Sequence, residues 1–309
     1  MRNLVFLALL ATARAGTWPA EVVADGYDVR LVSEDRATGA ATYASARFAI
    51  ASDIKLPLGV VRDLAAVFEA TRAAVRAAPL GLSLPREPNA YRVRLIARAE
   101  DYGAAGGGTG SGGFFNGREM LILLPNLGIQ STTNGLSAQH QRHLFVLKHE
   151  VTHQVMAGWG PHLPVWVNEG LAETFAAVPY TRGRYTFQNL DAAMREYLLK
   201  WRTSRDTRRL AIIGPPRLMA MTPKAWGEAV GAQRAYDLYN SAALLTHYFI
   251  RHDGAGDSAG LAAFLLAIRE GGDPDAAESE HLLRGRTREQ LTAELQKLTR
   301  KMAIDATFE

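Results

Sequence analysis

The chain of 309 residues contains no cysteine. This absence excludes disulfide scaffolds, thiolate zinc fingers, iron–sulfur clusters and cysteine nucleophiles. Any metal site must therefore use His, Asp and Glu side chains. Long hydrophobic runs are also lacking, because no segment after the N-terminal residues has the length and apolarity of a membrane span. We therefore expect no stable membrane insertion.

The chain also lacks a large excess of either charge sign. The 35 Lys and Arg residues are nearly balanced by 31 Asp and Glu residues, which leaves a formal net charge of +4. The two signs are interspersed, and no basic arm or long basic run is present, so a nucleic-acid partner is not expected. Hydrophobic residues at 48% and charged residues at 21% are typical of a globular protein, not of a disordered or collagen-like chain.

Residues 1–15 have the pattern of a cleavable secretory signal. A positively charged start at Arg2 precedes an apolar run at residues 4–11, and Ala13-Arg14-Ala15 places small residues where a signal peptidase reads them. The apolar run is too short to cross a bilayer. We expect a secreted or periplasmic protein.

The rest of the chain divides into two lobes that we expect to fold as one unit. Residues 16–159 predict an α+β lobe that ends in a helix, and residues 160–309 predict an all-helical lobe. Strand patterns occur at residues 27–32, 43–50 and 91–96, and the apolar run at residues 120–124 predicts a buried or edge strand beside the last of these. Helical periodicity occurs at residues 58–77, 138–157, 165–177, 190–203, 232–252, 258–270 and 286–301.

Residues 108–113 formally match the dinucleotide-binding pattern GxGxxG. A phosphate site of that kind needs a helix that begins at the last glycine, so that its N-terminal amides face the pyrophosphate. Here Phe114-Phe115 and then a strand pattern follow. We therefore interpret this segment as a loop before an edge strand, beside a cleft.

The residues His149-Glu150-Val151-Thr152-His153 form the pattern HExxH within a helical stretch. Residues four apart on a helix differ by only about 40° around its axis, so His149 and His153 can both reach one zinc ion. Glu150 lies on the adjacent edge of the helix, where it is positioned to act as a general base. The alternative is an amphipathic helix with two ordinary histidines.

A second segment strengthens the metal interpretation. After a loop at residues 159–164, a new helical pattern carries Glu169 and Glu173, again four residues apart. One face of this helix can present two carboxylates to the two histidines. A His-His-Glu zinc site with one open position is then geometrically possible.

The pairing of HExxH with Asn-Glu-Gly-Leu-Ala-Glu at residues 168–173 resembles the gluzincin metallopeptidases, which include thermolysin and the aminopeptidase N family. It is most similar to the secreted peptidase MA-like members. The resemblance implies a thermolysin-like zincin fold with His149, His153 and Glu169 as zinc ligands and Glu150 as the base. It also implies that Glu173 accepts a hydrogen bond from a ligand histidine. An assignment that exchanges Glu169 and Glu173 stays open.

Tyr239 opens a Tyr-Asn-Ser-Ala segment that is similar to a helix of these families. The resemblance implies that its phenol donates to the oxyanion of the tetrahedral intermediate. The alternative is a half-buried tyrosine on an amphipathic helix, and Tyr236 is a weaker substitute for the donor. For His162 and His247 a surface or capping role is favoured over a contact with substrate.

Together these features predict a secreted zinc metallopeptidase that acts on a peptide or protein by Glu150-assisted attack of zinc-bound water. The chain lacks the Gly-x-Met-x-Asn motif of the aminopeptidase N family before the zinc helix. The alternative function is a secreted, non-catalytic binding protein that retains a zincin-like fold.

Overall fold

The computed structural model describes residues 16–24, 26–82, 89–108, 111–129, 144–159, 162–200 and 209–309. The predicted signal at residues 1–15 lies outside this part of the chain. So do residues 138–143 and 201–203 of two predicted helices, and residues 109–110 of the glycine-rich segment.

The first half of the molecule contains a six-stranded mixed sheet. Its strands are β2 (Arg30–Glu34), β3 (Ala41–Ala44), β4 (Phe48–Ser52), β5 (Tyr91–Ile96), β6 (Gly113–Phe115) and β7 (Met120–Leu123). They lie in the order β2-β3-β4-β5-β7-β6. Strands β2, β3 and β4 are antiparallel neighbours, β4, β5 and β7 are parallel, and β6 runs antiparallel to β7 at one edge.

Helix α1 (Leu58–Ala77) is the crossover that makes β4 and β5 parallel. Its apolar residues recur at helical spacing, and Val61, Leu64 and Phe68 are fully buried. The other α-helices are α2 (Ala99–Ala104), α3 (Leu144–Val155), α4 (Val165–Ala177), α5 (Leu190–Lys200), α6 (Pro215–Leu218), α7 (Pro223–Ala229), α8 (Ala235–Arg251), α9 (Ala259–Arg269), α10 (Pro274–Ala277) and α11 (Arg288–Lys301).

The strand predicted at residues 43–50 is divided by a turn into β3 and β4. Glu69 of α1 fixes this turn, because its Oε1 accepts hydrogen bonds from Ser45 Oγ and from the Arg47 amide, each at 2.7 Å. The strand predicted at residues 120–124 lies inside the sheet. The edge is formed instead by residues 113–115, from the end of the glycine-rich segment.

The prediction of an all-helical second half is wrong, because its described residues include four short strands. Strands β8 (Tyr180–Thr181) and β9 (Arg184–Thr186) form a sheet with β1 (Glu21–Val23), and β10 (Leu210–Ile212) pairs with β11 (Ala306–Phe308). Segments of two or three residues are too short to show an alternating pattern, and their pairing partners are distant in sequence. One hydrophobic core extends through both halves. The fold is thus α+β.

Among the described residues, no helix combines the length and the apolar composition that a bilayer crossing requires.

Gly170 allows α4 and α8 to approach closely. A Cβ atom at this position would lie 2.1 Å from Thr246 Oγ1 and 2.5 Å from the Ala242 carbonyl oxygen, both on α8. The Ala242 contact is with backbone, so no rotamer change can relieve it. The glycine that follows Glu169 therefore sets the distance between the two helices.

We expect Gly170→Ala to lower the free energy of unfolding by about 1–3 kcal/mol, because the added methyl overpacks the α4–α8 contact. Urea denaturation followed by circular dichroism measures this change. Gly227→Ala on α7 is the matched control, since a Cβ atom added there would have no other atom within 4 Å, and it should be neutral or slightly stabilising. Equal effects of the two substitutions would contradict the packing argument.

Candidate functional site

The polar face of α3 carries His149, Glu150 and His153. Its opposite face carries Leu147 and Val151, which are buried in the core. The helix is tied to the sheet by Gln154, whose Nε2 donates to the Arg92 carbonyl oxygen of β5 at 2.7 Å. The three polar side chains therefore project from a helix that packs into the core and is hydrogen-bonded to the sheet.

Helix α4 begins after Pro164 and is buried along most of its length, which requires its carboxylates to have partners. Glu169 and Glu173 both face α3. Glu169 Oε2 lies 3.4 Å from His149 Nε2 and 3.3 Å from His153 Nε2, and the two Nε2 atoms are 2.9 Å apart. The structure thus brings the two histidines of the first motif together with Glu169 of the second.

The atoms of this triangle fit a zinc ion. Tetrahedral bonds of 2.0–2.1 Å place neighbouring ligand atoms about 3.3 Å apart, close to the separations found here. Glu169 Oε2 is buried and has no hydrogen-bond partner among the described residues. Leaving a buried carboxylate oxygen unpaired is costly, and a cation between it and the imidazoles would remove that cost.

Glu173 contacts the other side of the His149 ring. Its Oε1 lies 3.0 Å from His149 Nδ1, so Nδ1–H donates to this carboxylate and Nε2 is directed to Glu169 and His153. Burial alone would lower the pKa of His149, but the carboxylates of Glu173 and Glu169 raise it well above its ordinary value. The same negative potential attracts a metal cation in place of that proton.

The three carboxylates of the site differ in their environment. Burial alone would raise the pKa of Glu169, but the adjacent imidazoles, His153 first, hold it well below its ordinary value. Burial raises the pKa of Glu150, and this effect outweighs the opposing influence of the two histidines. Glu169 therefore ionises more readily than Glu150, and Glu150 has the greater affinity for a proton.

The edge strand β6 lies against Glu150. The Phe115 amide donates to Glu150 Oε2 at 3.0 Å. Gly113 permits this approach, because a Cβ atom there would lie 2.9 Å from Glu150 Cγ and 3.2 Å from Val146 Cγ1. The end of the glycine-rich segment is thus part of the site, which the sequence alone did not establish.

Tyr239 also lies at the site. Its ring meets the His149 ring edge-on, with 5.9 Å between centroids, whereas Tyr236 is 49% exposed. Burial raises the pKa of Tyr239, so the phenol is protonated at neutral pH. Trp226 packs edge-on against the Tyr239 ring, with 5.6 Å between centroids. No signal in the sequence pointed to Trp226, because α7 carries no motif.

Lys148 is a second residue that motif reasoning missed. This lysine is only 5% exposed, and its Nζ donates to the Val178 carbonyl oxygen at the end of α4 at 2.6 Å. The ammonium group also lies 5.4 Å from the centroid of the Tyr185 ring. A lysine next to His149 thus links the two helices that carry the candidate site.

A second group of potential ligands lies elsewhere. Among the described residues, Asp191, His247 and His252 also place three ligand atoms within 4.8 Å of one another. The hydrogen bond from His247 is the main cause that lowers the pKa of Asp191, and burial lowers the pKa of His247. His247 is therefore a buried side chain that is hydrogen-bonded to Asp191, whereas His162 is exposed.

No protein-family model and no curated protein matches this chain. Function must therefore be inferred from its own residues and from the resemblance carried by its two candidate zinc segments.

We expect Lys148→Met to lower the free energy of unfolding by about 1.5–3 kcal/mol, because it removes a charged hydrogen bond inside the protein. Thermal and urea unfolding measure the effect. Lys224→Met is the control, since that side chain is 87% exposed, and it should change stability by less than about 0.5 kcal/mol. Equal stability of the two variants would show that the Lys148 contact is not needed.

Proposed function

We propose that this protein is a secreted zinc-dependent metallopeptidase with a thermolysin-like zincin fold. The observation that carries the proposal is the convergence of His149 Nε2, His153 Nε2 and Glu169 Oε2 within 2.9–3.4 Å, with Glu150 beside them. A purely structural zinc site has no need for an additional carboxylate at that position.

His149, His153 and Glu169 would hold the zinc, which leaves one coordination position open, as in catalytic sites. Glu169 is favoured over Glu173 as the third ligand, because Glu173 contacts Nδ1 on the other side of the His149 ring. Glu173 instead orients that ring and increases its basicity. When bound, the zinc supplies Lewis acidity and makes water easier to deprotonate.

Glu150 is the proposed general base. Its carboxylate takes a proton from the attacking water and later delivers a proton to the leaving amine. Burial raises the pKa of Glu150, which brings it nearer to the range where an acid–base catalyst is effective. The hydrogen bond from the Phe115 amide to Oε2 orients the carboxylate.

Tyr239 is the proposed donor to the oxyanion that forms when the peptide carbonyl is attacked. A phenol with a raised pKa keeps its proton at neutral pH and can donate a hydrogen bond. Packing against Trp226 on one side and His149 on the other restricts the orientation of its ring.

An extended peptide is the favoured substrate. Strand β6 forms one edge of the six-stranded sheet, and the Phe115 amide on it donates to Glu150. A peptide that pairs with this edge by main-chain hydrogen bonds would pass its carbonyl groups close to the proposed metal site.

We expect Glu150→Gln to retain its zinc and to lower turnover by at least about 10²–10⁴-fold, because the amide cannot accept the proton. Hydrolysis of a library of quenched fluorescent peptides, with zinc measured on the same samples, tests this. His153→Ala and Glu169→Ala should each lose one equivalent of zinc. Glu228→Gln is the control, since its side chain is 68% exposed.

Undiminished hydrolysis by Glu150→Gln would contradict the mechanism. A folded, zinc-loaded wild-type protein that cleaves no peptide in the library would favour the non-catalytic binding protein instead. Zinc lost in Glu173→Ala but kept in Glu169→Ala would exchange the roles of the two carboxylates.

We expect Tyr239→Phe to lower kcat by about 10²–10³-fold with little change in KM, because the lost hydrogen bond forms mainly in the transition state. Steady-state kinetics on the best peptide of the library measures both constants. Tyr236→Phe on the same helix is the matched control and should retain wild-type kcat. A kcat for Tyr239→Phe equal to that of the control would exclude the oxyanion role.

A further inference from the structure

The side chains of Asp191, His247 and His252 meet where the beginning of α5 contacts the end of α8. Asp191 lies in the first turn of α5, His247 in the last turns of α8, and His252 at the residue that caps α8. Asp191 Oδ1 lies 2.9 Å from His247 Nε2 and 3.0 Å from His252 Nε2. Each of the two imidazoles therefore directs its Nε2 atom to Asp191 Oδ1.

The burial of these side chains differs in a way that suits a metal ion. The His247 side chain is 2% exposed and that of His252 is 15% exposed, whereas the Asp191 side chain is 41% exposed. The two histidines thus form the buried side of this group, and Asp191 forms the side that is open to solvent. An ion could enter there, and water could complete its coordination.

We propose that Asp191, His247 and His252 form a second metal site that takes a divalent ion of the zinc type. Two imidazole nitrogens and one carboxylate oxygen are donors that suit Zn²⁺ better than Mg²⁺ or Ca²⁺, which prefer oxygen ligands. The 2.9 and 3.0 Å separations are close to the 2.9–3.4 Å of the first group. This site does not depend on the proposed peptidase activity.

Neighbouring positively charged side chains affect how tightly this site would bind a metal ion. Lys301 Nζ lies 4.0 Å from Asp191 Oδ2 and is 66% exposed, and Arg251 adds positive charge near His247. Both weaken cation binding, but the exposed lysine can move into solvent when an ion binds. We therefore expect weaker zinc binding here than at His149, His153 and Glu169.

The metal would join α5 to α8 across 56 and 61 sequence positions. Helix α5 also carries Tyr197, whose ring packs edge-on against Phe145 of α3 at 6.4 Å. Phe145 lies one turn before His149. An ion at the beginning of α5 would therefore stabilise a helix that contacts the zinc-binding helix of the proposed active site.

Zinc stoichiometry on the metal-free full chain tests the proposal, by equilibrium dialysis with elemental analysis. We expect about two zinc ions per chain in the wild type and about one in either His252→Ala or His153→Ala. The double variant should bind none. His281→Ala replaces a histidine outside both groups and should retain both ions.

Asp191→Asn provides a second variant, because its amide oxygen can still accept a hydrogen bond from a histidine. It should fold and should bind the second zinc at least about tenfold more weakly. Circular dichroism checks the fold of each variant, and zinc should raise the Tm of His153→Ala but not that of the double variant.

A single zinc that is lost in His153→Ala and kept in His252→Ala and Asp191→Asn would overturn the proposal and leave a hydrogen-bonded His-Asp-His cluster. Equal losses in His281→Ala and His252→Ala would also overturn it, because they would indicate binding by surface histidines. A second zinc that survives in His153→Ala would support this site even if the first site proved empty.

Discussion

The burial of two carboxylates between α3 and α4 is the constraint on which the site depends. Glu169 and Glu173 lie on a helix that is enclosed along most of its length, and an unpaired buried charge is unfavourable by several kcal/mol or more. The imidazoles of His149 and His153 are positioned to offset it. Any slip of one helix along the other would separate these pairs, so the charges help to fix the alignment of the helices.

Other elements of the fold bring the remaining groups to this helix pair. Gly170 lets α8 approach α4, and α8 carries Tyr239 to the edge of the His149 ring. The sheet places its edge strand against α3, where the Phe115 amide meets Glu150. The candidate site is therefore formed by two helices that carry the histidines and glutamates, a third helix that carries the Tyr239 phenol and a strand beside Glu150.

The agreement between sequence and structure is best where the signal is local. The HExxH spacing and the Glu169–Glu173 spacing each predicted which side chains share a helix face, and the structure brings those four side chains together. The agreement is poorest where the partner is distant. The turn between β3 and β4 depends on Glu69, more than twenty residues away, and the short strands of the second half pair with segments that no periodic pattern could identify.

The sequence by itself determined which side chains are available: no thiolate, two histidines at helical spacing with Glu150 beside them, and two glutamates at the same spacing on the next helix. Tertiary structure decided which glutamate oxygen faces the two Nε2 atoms, and that Trp226 and Lys148 support the site. It also brought Asp191 to His247 and His252. The physical reason is that spacing along a helix is fixed by backbone geometry, whereas contacts between distant segments depend on how the whole core packs.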